Sequence, residues 1–271
     1  EWYDIAYDSC IKEENDFLVP IIFALDEAKL QIGGKQGCCP ILFTTSLFTQ
    51  EQRNRPLVWR PLGYIFDMDA VESPVHRKRA TKENKYSRYH QIIDKVLETF
   101  VDAQQGTVLN NVPLRLGNFT KTVNLKVPLG LIIGDIQGGD KICGTSASYS
   151  NRIARICRSC NVPGPEVGNP SYQCQLIRQD RIEQLIATNN AVELKNLCQY
   201  NIPNAFLKIN FGGCPYGLFS AAMPIEPLHS LENGLMKNCL EILFNQEMSE
   251  KQCEEIDLLA RSMCNWDRQH Y

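Results

Sequence analysis

Two aspartates in this sequence follow apolar runs of the kind that form buried strands. Asp26 ends the first run, LVPIIFALD, and Asp135 ends the second, KVPLGLIIGD. Carboxylate oxygens are the ligands that Mg²⁺ and Mn²⁺ prefer, and two such ions can promote bond formation and bond cleavage at a phosphodiester. The pair therefore predicts a site for divalent metal ions. The alternative is that each aspartate only caps a turn or the next helix; Glu27 and Asp140 are substitute ligands if the strand register differs.

Three predicted strands and one helix lie between the two aspartates. The strands cover residues 18–26, 40–47 and 57–66, and their turn-rich connections are too short for helical crossovers. An antiparallel meander is therefore expected. After it, apolar residues recur on one helical face and predict an amphipathic helix that ends before Gly106. These residues are Ile92, Ile93, Val96, Leu97 and Phe100.

The second apolar run adds a fourth strand, so the predicted order is three strands, a helix and a strand. In the ribonuclease-H-like arrangement the first and fourth strands lie side by side with their ends together. That geometry would bring Asp26 and Asp135 within reach of one cation. The predicted fold is an α/β, ribonuclease-H-like mixed sheet in residues 1–140, followed by a Cys-rich, mainly helical region in residues 141–271.

Length and composition indicate a globular protein. The chain has 271 residues, 44% of them hydrophobic, which is enough to bury a sizeable core. Its apolar stretches are too short to cross a bilayer, so no membrane association is expected. The net charge of −3 excludes a uniformly basic nucleic-acid-binding protein. Any contact with DNA would therefore depend on a local basic patch.

One basic patch precedes the predicted helix. Residues 76–90 contain six basic residues and one glutamate, interleaved with Tyr86 and Tyr89, and such a segment can neutralise backbone phosphates. The alternative is a solvated loop without a partner. The predicted DNA-binding residues are Arg77, Lys78, Arg79, Lys82, Lys85 and Arg88.

The pair Cys157-x-x-Cys160 has the spacing of half a tetrahedral zinc site. Twelve cysteines in a chain with long periodic segments favour reduced thiols over a disulfide scaffold. Two buried thiols without a metal are the alternative interpretation. The remaining ligands would come from Cys174, Cys198, Cys214 and His229, of which Cys174 and His229 are preferred.

The segment PIEPLHSLENGLMKN carries Glu226 and His229 at a spacing of three, and Glu232 follows three residues later. In a helix this spacing places the three side chains on one side. Pro227 predicts that the helix begins at this point. The alternative to a ligand role is a histidine that is hydrogen-bonded for structural reasons.

Three segments together resemble the catalytic region of eukaryotic cut-and-paste transposases of the Plavaka and CACTA-like type. VPIIFALDEAKL and the strands after it are similar to the first acidic strand of that family. GLIIGDIQGGDKICG, followed by CRSCNVPG, is similar to the second acidic strand and its Cys-x-x-Cys. PIEPLHSLENGLMKN is similar to the acidic-x-x-His segment. The segments occur in the family's order and cover most of the chain.

The resemblance implies a ribonuclease-H-fold DDE/D transposase core in which Asp26 and Asp135 are the first two metal ligands. Glu226 and His229 match the acidic-x-x-His signature of the superfamily. The third acid lies on a later helix in such proteins and is expected beyond the last residue of this chain, which would then be a fragment or an inactive copy. Its substitutes within the chain are Glu232, Glu254 and Glu255, of which Glu232 is preferred.

The function that the resemblance implies is Mg²⁺- or Mn²⁺-dependent cleavage of DNA and strand transfer, with two catalytic ions and a structural Zn²⁺. The protein would bind transposon ends and target DNA, would form a homo-oligomer and would act in the nucleus. Two alternatives stay open. One is an inactive, transposon-derived, zinc-containing module that binds DNA or protein, and the other is a ribonuclease-H-like nuclease without strand transfer.

Overall fold

A computed structural model describes residues 1–26, 28–29, 37–66, 82–146, 157–166, 169–224, 236–242 and several positions between 248 and 258. The chain divides into two compact units, Glu1–Pro224 and Ile225–Tyr271. The first unit is a mixed α/β structure that contains all the described strands in two mixed sheets. The division at residue 140 that the sequence suggests stays a prediction.

Strands and helices follow one another through the first unit. The strands are β1 (Asp16–Leu18), β2 (Ile21–Leu25), β3 (Ala28–Lys29), β4 (Gly37–Thr45), β5 (Arg60–Phe66), β6 (Val112–Leu116), β7 (Phe119–Lys126) and β8 (Leu129–Ile133). The helices are α1 (Trp2–Cys10), α2 (Gln50–Arg53), α3 (Lys82–Gln105), α4 (Ile136–Cys143), α5 (Gln179–Ala187) and α6 (Ala191–Asn196). In the second unit, α7 covers Lys237–Ile242. None of the described helices is long and apolar enough to span a membrane.

The larger sheet confirms the predicted meander. β2 pairs antiparallel with β4, and β4 pairs antiparallel with β5. β8 pairs parallel with β2, so the first and fourth strands of the predicted series are neighbours. α3 lies in the connection between β5 and the later strands, as expected because parallel neighbours need a long crossover.

The first predicted strand is in fact two strands. Pro20 has no backbone N–H, and at this point the chain passes from β1 in the smaller sheet to β2 in the larger one. Pro128 makes the same break between β7 and β8. Hydrogen bonding continues across both breaks, because the N–H of Val19 donates to the carbonyl oxygen of Lys126 at 2.8 Å and the N–H of Ile21 donates to that of Pro128 at 2.9 Å. The two apolar runs therefore lie side by side along their whole length.

The apolar face of α3 packs into the core beside the sheet. Ile93 and Leu97 are almost completely buried and belong to the same cluster as Phe23 of β2. Gly63 of β5 lets the helix approach closely, since a Cβ atom there would lie 2.4 Å from a methyl carbon of Val96. The helical face predicted from the sequence is therefore confirmed.

A buried histidine joins α3 to two other parts of the unit. The Nε2 of His90 lies 3.0 Å from the carbonyl oxygen of Lys141 in α4, and its Nδ1 accepts a hydrogen bond from the N–H of Ala205 at 3.3 Å. These contacts require a neutral ring that carries its proton on Nε2. Burial lowers the pKa of His90 from 6.5 to about 4, which keeps the ring neutral.

We expect the free energy of unfolding to decrease as the pH falls from about 6.5 to about 4. In this window the unfolded chain binds a proton at His90 and the folded chain does not, so acid favours unfolding, by at most about 1.4 kcal/mol per pH unit for one group. Urea unfolding at several pH values measures the slope. His90→Gln retains a donor and an acceptor but does not titrate, and its slope should be smaller. Equal slopes in the two proteins would refute this role for His90.

Candidate active site

Asp26 and Asp135 lie just beyond the carboxyl ends of neighbouring parallel strands. The last register pair between β2 and β8 is Ala24 with Ile133, and each aspartate follows two residues later. Paired strands are about 4.8 Å apart, so the chain leaves the sheet with both acids at the same edge. The structure thus confirms the predicted adjacency of the two strand ends.

Gly134 shows how closely these two strand ends approach each other. A Cβ atom at this position would lie 2.8 Å from the backbone carbonyl oxygen of Leu25 and 3.4 Å from Cε of Met223. Because rotation of a side chain cannot relieve a clash with a backbone atom, a larger residue would push the strand ends apart. The residue immediately before Asp135 is therefore constrained to be glycine.

Asp135 also caps α4. Its Oδ1 accepts a hydrogen bond from the N–H of Gly138, which follows Asp135 by three residues. The capping alternative is therefore confirmed for Asp135. Capping engages one carboxylate oxygen and holds the group at the end of β8, and a carboxylate has a second oxygen that can bind a cation. The two roles are compatible.

The described residues do not form a complete metal site by themselves. Two carboxylates at neighbouring strand ends are the donors that Mg²⁺ takes from proteins, alongside water and substrate oxygens. Within the described parts of the chain, no three His, Cys, Asp or Glu side chains are grouped so that they could hold a metal ion. The preferred third acid, Glu232, and the substitute Glu27 lie outside the described residues.

Asp140, the other substitute ligand, is engaged in a buried ion pair. Its Oδ1 lies 3.4 Å from Nη1 of Arg158, and both side chains are more than nine-tenths buried. Thr145 Oγ1 donates a hydrogen bond to the same carboxylate oxygen at 3.3 Å. Burial raises the pKa of Asp140, and the positive charge of Arg158 opposes this shift. Asp140 therefore holds Arg158, a residue of the Cys-x-x-Cys segment, against α4.

The thiols of Cys157 and Cys174 each interact with the thiol of Cys160. The pKa of Cys160 is raised to about 12, chiefly by burial and further by the thiols of Cys157 and Cys174. Close thiols are a donor set that Zn²⁺ binds as thiolates. His229, the expected fourth ligand, lies outside the described residues, and Cys157, Cys160 and Cys174 are not grouped so that they could hold a metal ion by themselves. The zinc site therefore stays a prediction.

A pocket of about 410 Å³ lies beside the strand ends. Residues of α3, α4, β4 and β5 line it, together with Leu25 and Asp135. Asp26 is exposed and is not part of the lining. Among the described lining residues one is acidic, Asp135, and four are basic. The basic residues are Lys82, Lys85, Arg88 and Lys141.

Three of the six predicted DNA-binding residues, Lys82, Lys85 and Arg88, therefore line this pocket. They belong to α3, which begins at Lys82, whereas the sequence placed them in front of the helix. Sequence reasoning did not identify Lys141, because it is a single lysine outside any basic cluster. The other three predicted residues, Arg77, Lys78 and Arg79, lie outside the described residues.

The acidic-x-x-His segment also lies outside the described residues, including Glu226 and His229. Glu254 and Glu255, the later candidates for the third acid, are exposed helical residues of the second unit.

Comparison of the chain with protein-family models and with curated proteins finds no match.

Proposed function

We propose that this chain is the catalytic core of a DNA transposase with a ribonuclease-H-like fold, which cleaves phosphodiester bonds with the help of divalent metal ions. The observation that carries the proposal is the position of Asp26 and Asp135, just beyond the ends of the parallel neighbours β2 and β8. The strand order supports it as well, since three antiparallel strands and a helix precede a strand that pairs with the first.

In this proposal Asp26 and Asp135 bind the metal ions, and the backbone positions both acids. Bound Mg²⁺ or Mn²⁺ would activate the attacking oxygen and stabilise charge on the leaving oxygen. Water attacks in the cleavage step, and a 3′ hydroxyl attacks in the transfer step. The basic residues of α3 neutralise phosphates near the cleaved bond. The proposed partners are transposon ends and target DNA, bound by a homo-oligomer in the nucleus.

Nicking of supercoiled plasmid DNA tests this proposal, with a protein that includes the third acid expected beyond this chain. With Mg²⁺ or Mn²⁺ the protein should convert supercoiled plasmid into nicked circles, and with EDTA it should not, because the carboxylates alone cannot activate water. Circular dichroism confirms that the protein is folded under the same conditions. If a folded protein that also contains the third acid does not nick DNA in the presence of either ion, the proposed chemistry is excluded and the non-catalytic module is favoured.

We also propose a structural zinc ion bound by Cys157, Cys160 and Cys174, with His229 as the fourth ligand. The interactions of the Cys157 and Cys174 thiols with Cys160 support this set. One zinc per chain is expected after dialysis, measured by atomic emission, and Cys160→Ser should lose it. Cys10→Ser changes another partly buried thiol and should retain zinc. Undiminished zinc in Cys160→Ser would refute this ligand set.

A further inference from the structure

The pocket beside β2 and β8 combines two kinds of lining. The four basic residues among its described lining face the same cavity as a set of apolar and aromatic side chains, which includes Ile65, Phe66, Tyr86, Tyr89 and Ile92. Apolar walls with a few charged groups are typical of small-ligand sites, in which the polar groups orient the ligand. A ligand that matches both kinds of lining has an apolar face and a negative charge.

Two buried tyrosines hold lysines from different helices at this pocket. The Nζ of Lys82, in α3, lies 5.5 Å from the ring centroid of Tyr86, and the Nζ of Lys141, in α4, lies 4.5 Å from that of Tyr89. Both rings are buried, so their positions are fixed by packing. Cation–π attraction therefore keeps two ammonium groups at the cavity, within the unit that carries Asp26 and Asp135.

The size of the pocket restricts the ligand. Its volume of about 410 Å³ lies in the range of roughly 300–1,000 Å³ that holds small molecules, and a DNA duplex is much larger. Phe66, at the end of β5, is 57% exposed, so part of its ring is available to a ligand. Proteins that bind single-stranded nucleic acid combine cations for the phosphates with aromatic rings for the bases. One unpaired nucleotide has the matching size and chemistry.

We propose that this pocket binds one unpaired nucleotide of the DNA strand that the protein cleaves. Lys82 and Lys141 contact its phosphate, and Phe66 packs against its base. Asp135 lines the same pocket, so the nucleotide lies next to the phosphodiester that is cut. The identity of the strand rests on the proposed function, but binding of the nucleotide requires neither a metal ion nor cleavage.

Fluorescence anisotropy with a labelled oligothymidine in EDTA tests the proposal. Phe66→Ser should weaken binding about tenfold, because one stacked base is lost. Phe119→Ser removes an equally exposed ring from β7, in the other sheet, and should bind like the parent protein. Lys141→Gln should lower the slope of log Kd against log salt by about 0.7, whereas the matched change Lys121→Gln in β7 should not.

An abasic oligonucleotide of the same length separates the base from the phosphate. The parent protein should bind the abasic strand about tenfold more weakly than oligothymidine, and Phe66→Ser should bind the two strands equally. Equal binding of both strands by the parent protein, or an equal loss in Phe66→Ser and Phe119→Ser, would overturn the proposal. If the protein nicks plasmid DNA but its binding does not depend on the base, the nucleotide site is refuted and the proposed transposase chemistry stands. If its binding depends on the base but it does not nick DNA, the nucleotide site stands and the proposed chemistry is refuted.

Discussion

Asp26→Asn and Asp135→Asn should each reduce Mg²⁺-dependent nicking of plasmid DNA by about 10²–10³ or more, because an amide cannot replace a carboxylate as a ligand of a hard cation. The two acids follow paired positions on β2 and β8, so both changes lie at the same edge of the sheet. Initial rates of nicking at saturating Mg²⁺ measure the effect. Asp102→Asn makes the same change at an exposed position of α3 and should leave the rate unchanged.

Asparagine is the informative substitution at position 135 because it separates metal binding from capping. Asn caps a helix about as well as Asp does, so Asp135→Asn should keep the hydrogen bond from Gly138 and the stability of the protein. Asp135→Ala removes the cap as well and should lower the free energy of unfolding by about 1 kcal/mol. If Asp135→Asn nicks DNA at the parental rate, Asp135 is a helix cap and nothing more.

Arg158→Ala should lower the free energy of unfolding by about 3–5 kcal/mol, because it leaves the carboxylate of Asp140 buried without its partner. The guanidinium also packs directly against α4 at Gly139, where a Cβ atom would lie 2.4 Å from Nη1 of Arg158. Removing the side chain of Arg158 therefore also removes this packing, which adds to the loss of stability. Urea unfolding gives the change in stability. Arg158 lies between Cys157 and Cys160, so the same variant loosens the Cys-x-x-Cys segment from the helix that Asp135 caps.

Arg178→Ala is the matched control for Arg158→Ala. Arg178 pairs with Asp180 at 2.6 Å, a shorter distance than that of the buried pair, but both side chains are more than half exposed and water screens them. Its loss should hardly change stability. The double variant Arg158→Met, Asp140→Asn removes both charges and should be more stable than Arg158→Ala. If Arg158→Ala unfolds like Arg178→Ala, the buried pair does not stabilise the fold.

The larger sheet could be predicted from the sequence because its strands are apolar runs that lie close together along the chain. The three runs at residues 18–26, 40–47 and 57–66 are apolar and closely spaced, and short connections allow only antiparallel neighbours. The parallel position of β8 was expected from the ribonuclease-H-like arrangement, and the register confirms it. The error in the first strand came from Pro20, whose missing N–H ends one ladder and starts another.

The beginning of α3 and the contacts of the site could not be read from local patterns. The first turns of α3 bury Tyr86 and Tyr89, but the basic residues around them hide the helical period in the sequence. The partner of Asp140 is a tertiary contact, and neither its charge nor its neighbours identify Arg158. The pocket position of Lys141 depends likewise on how α3 and α4 approach, which no single segment encodes.

The parallel pairing of β2 with β8 also has a consequence for biosynthesis. The strands β2, β4 and β5 of the meander lie close together in the sequence, whereas β8 joins them only after the long intervening segment has been made. Distant contacts of this kind form slowly, because a large loop must lose its freedom first. A chain still emerging from the ribosome would therefore hold Asp26 without Asp135, and the proposed metal site would remain incomplete until the second acid has been translated and its strand has docked.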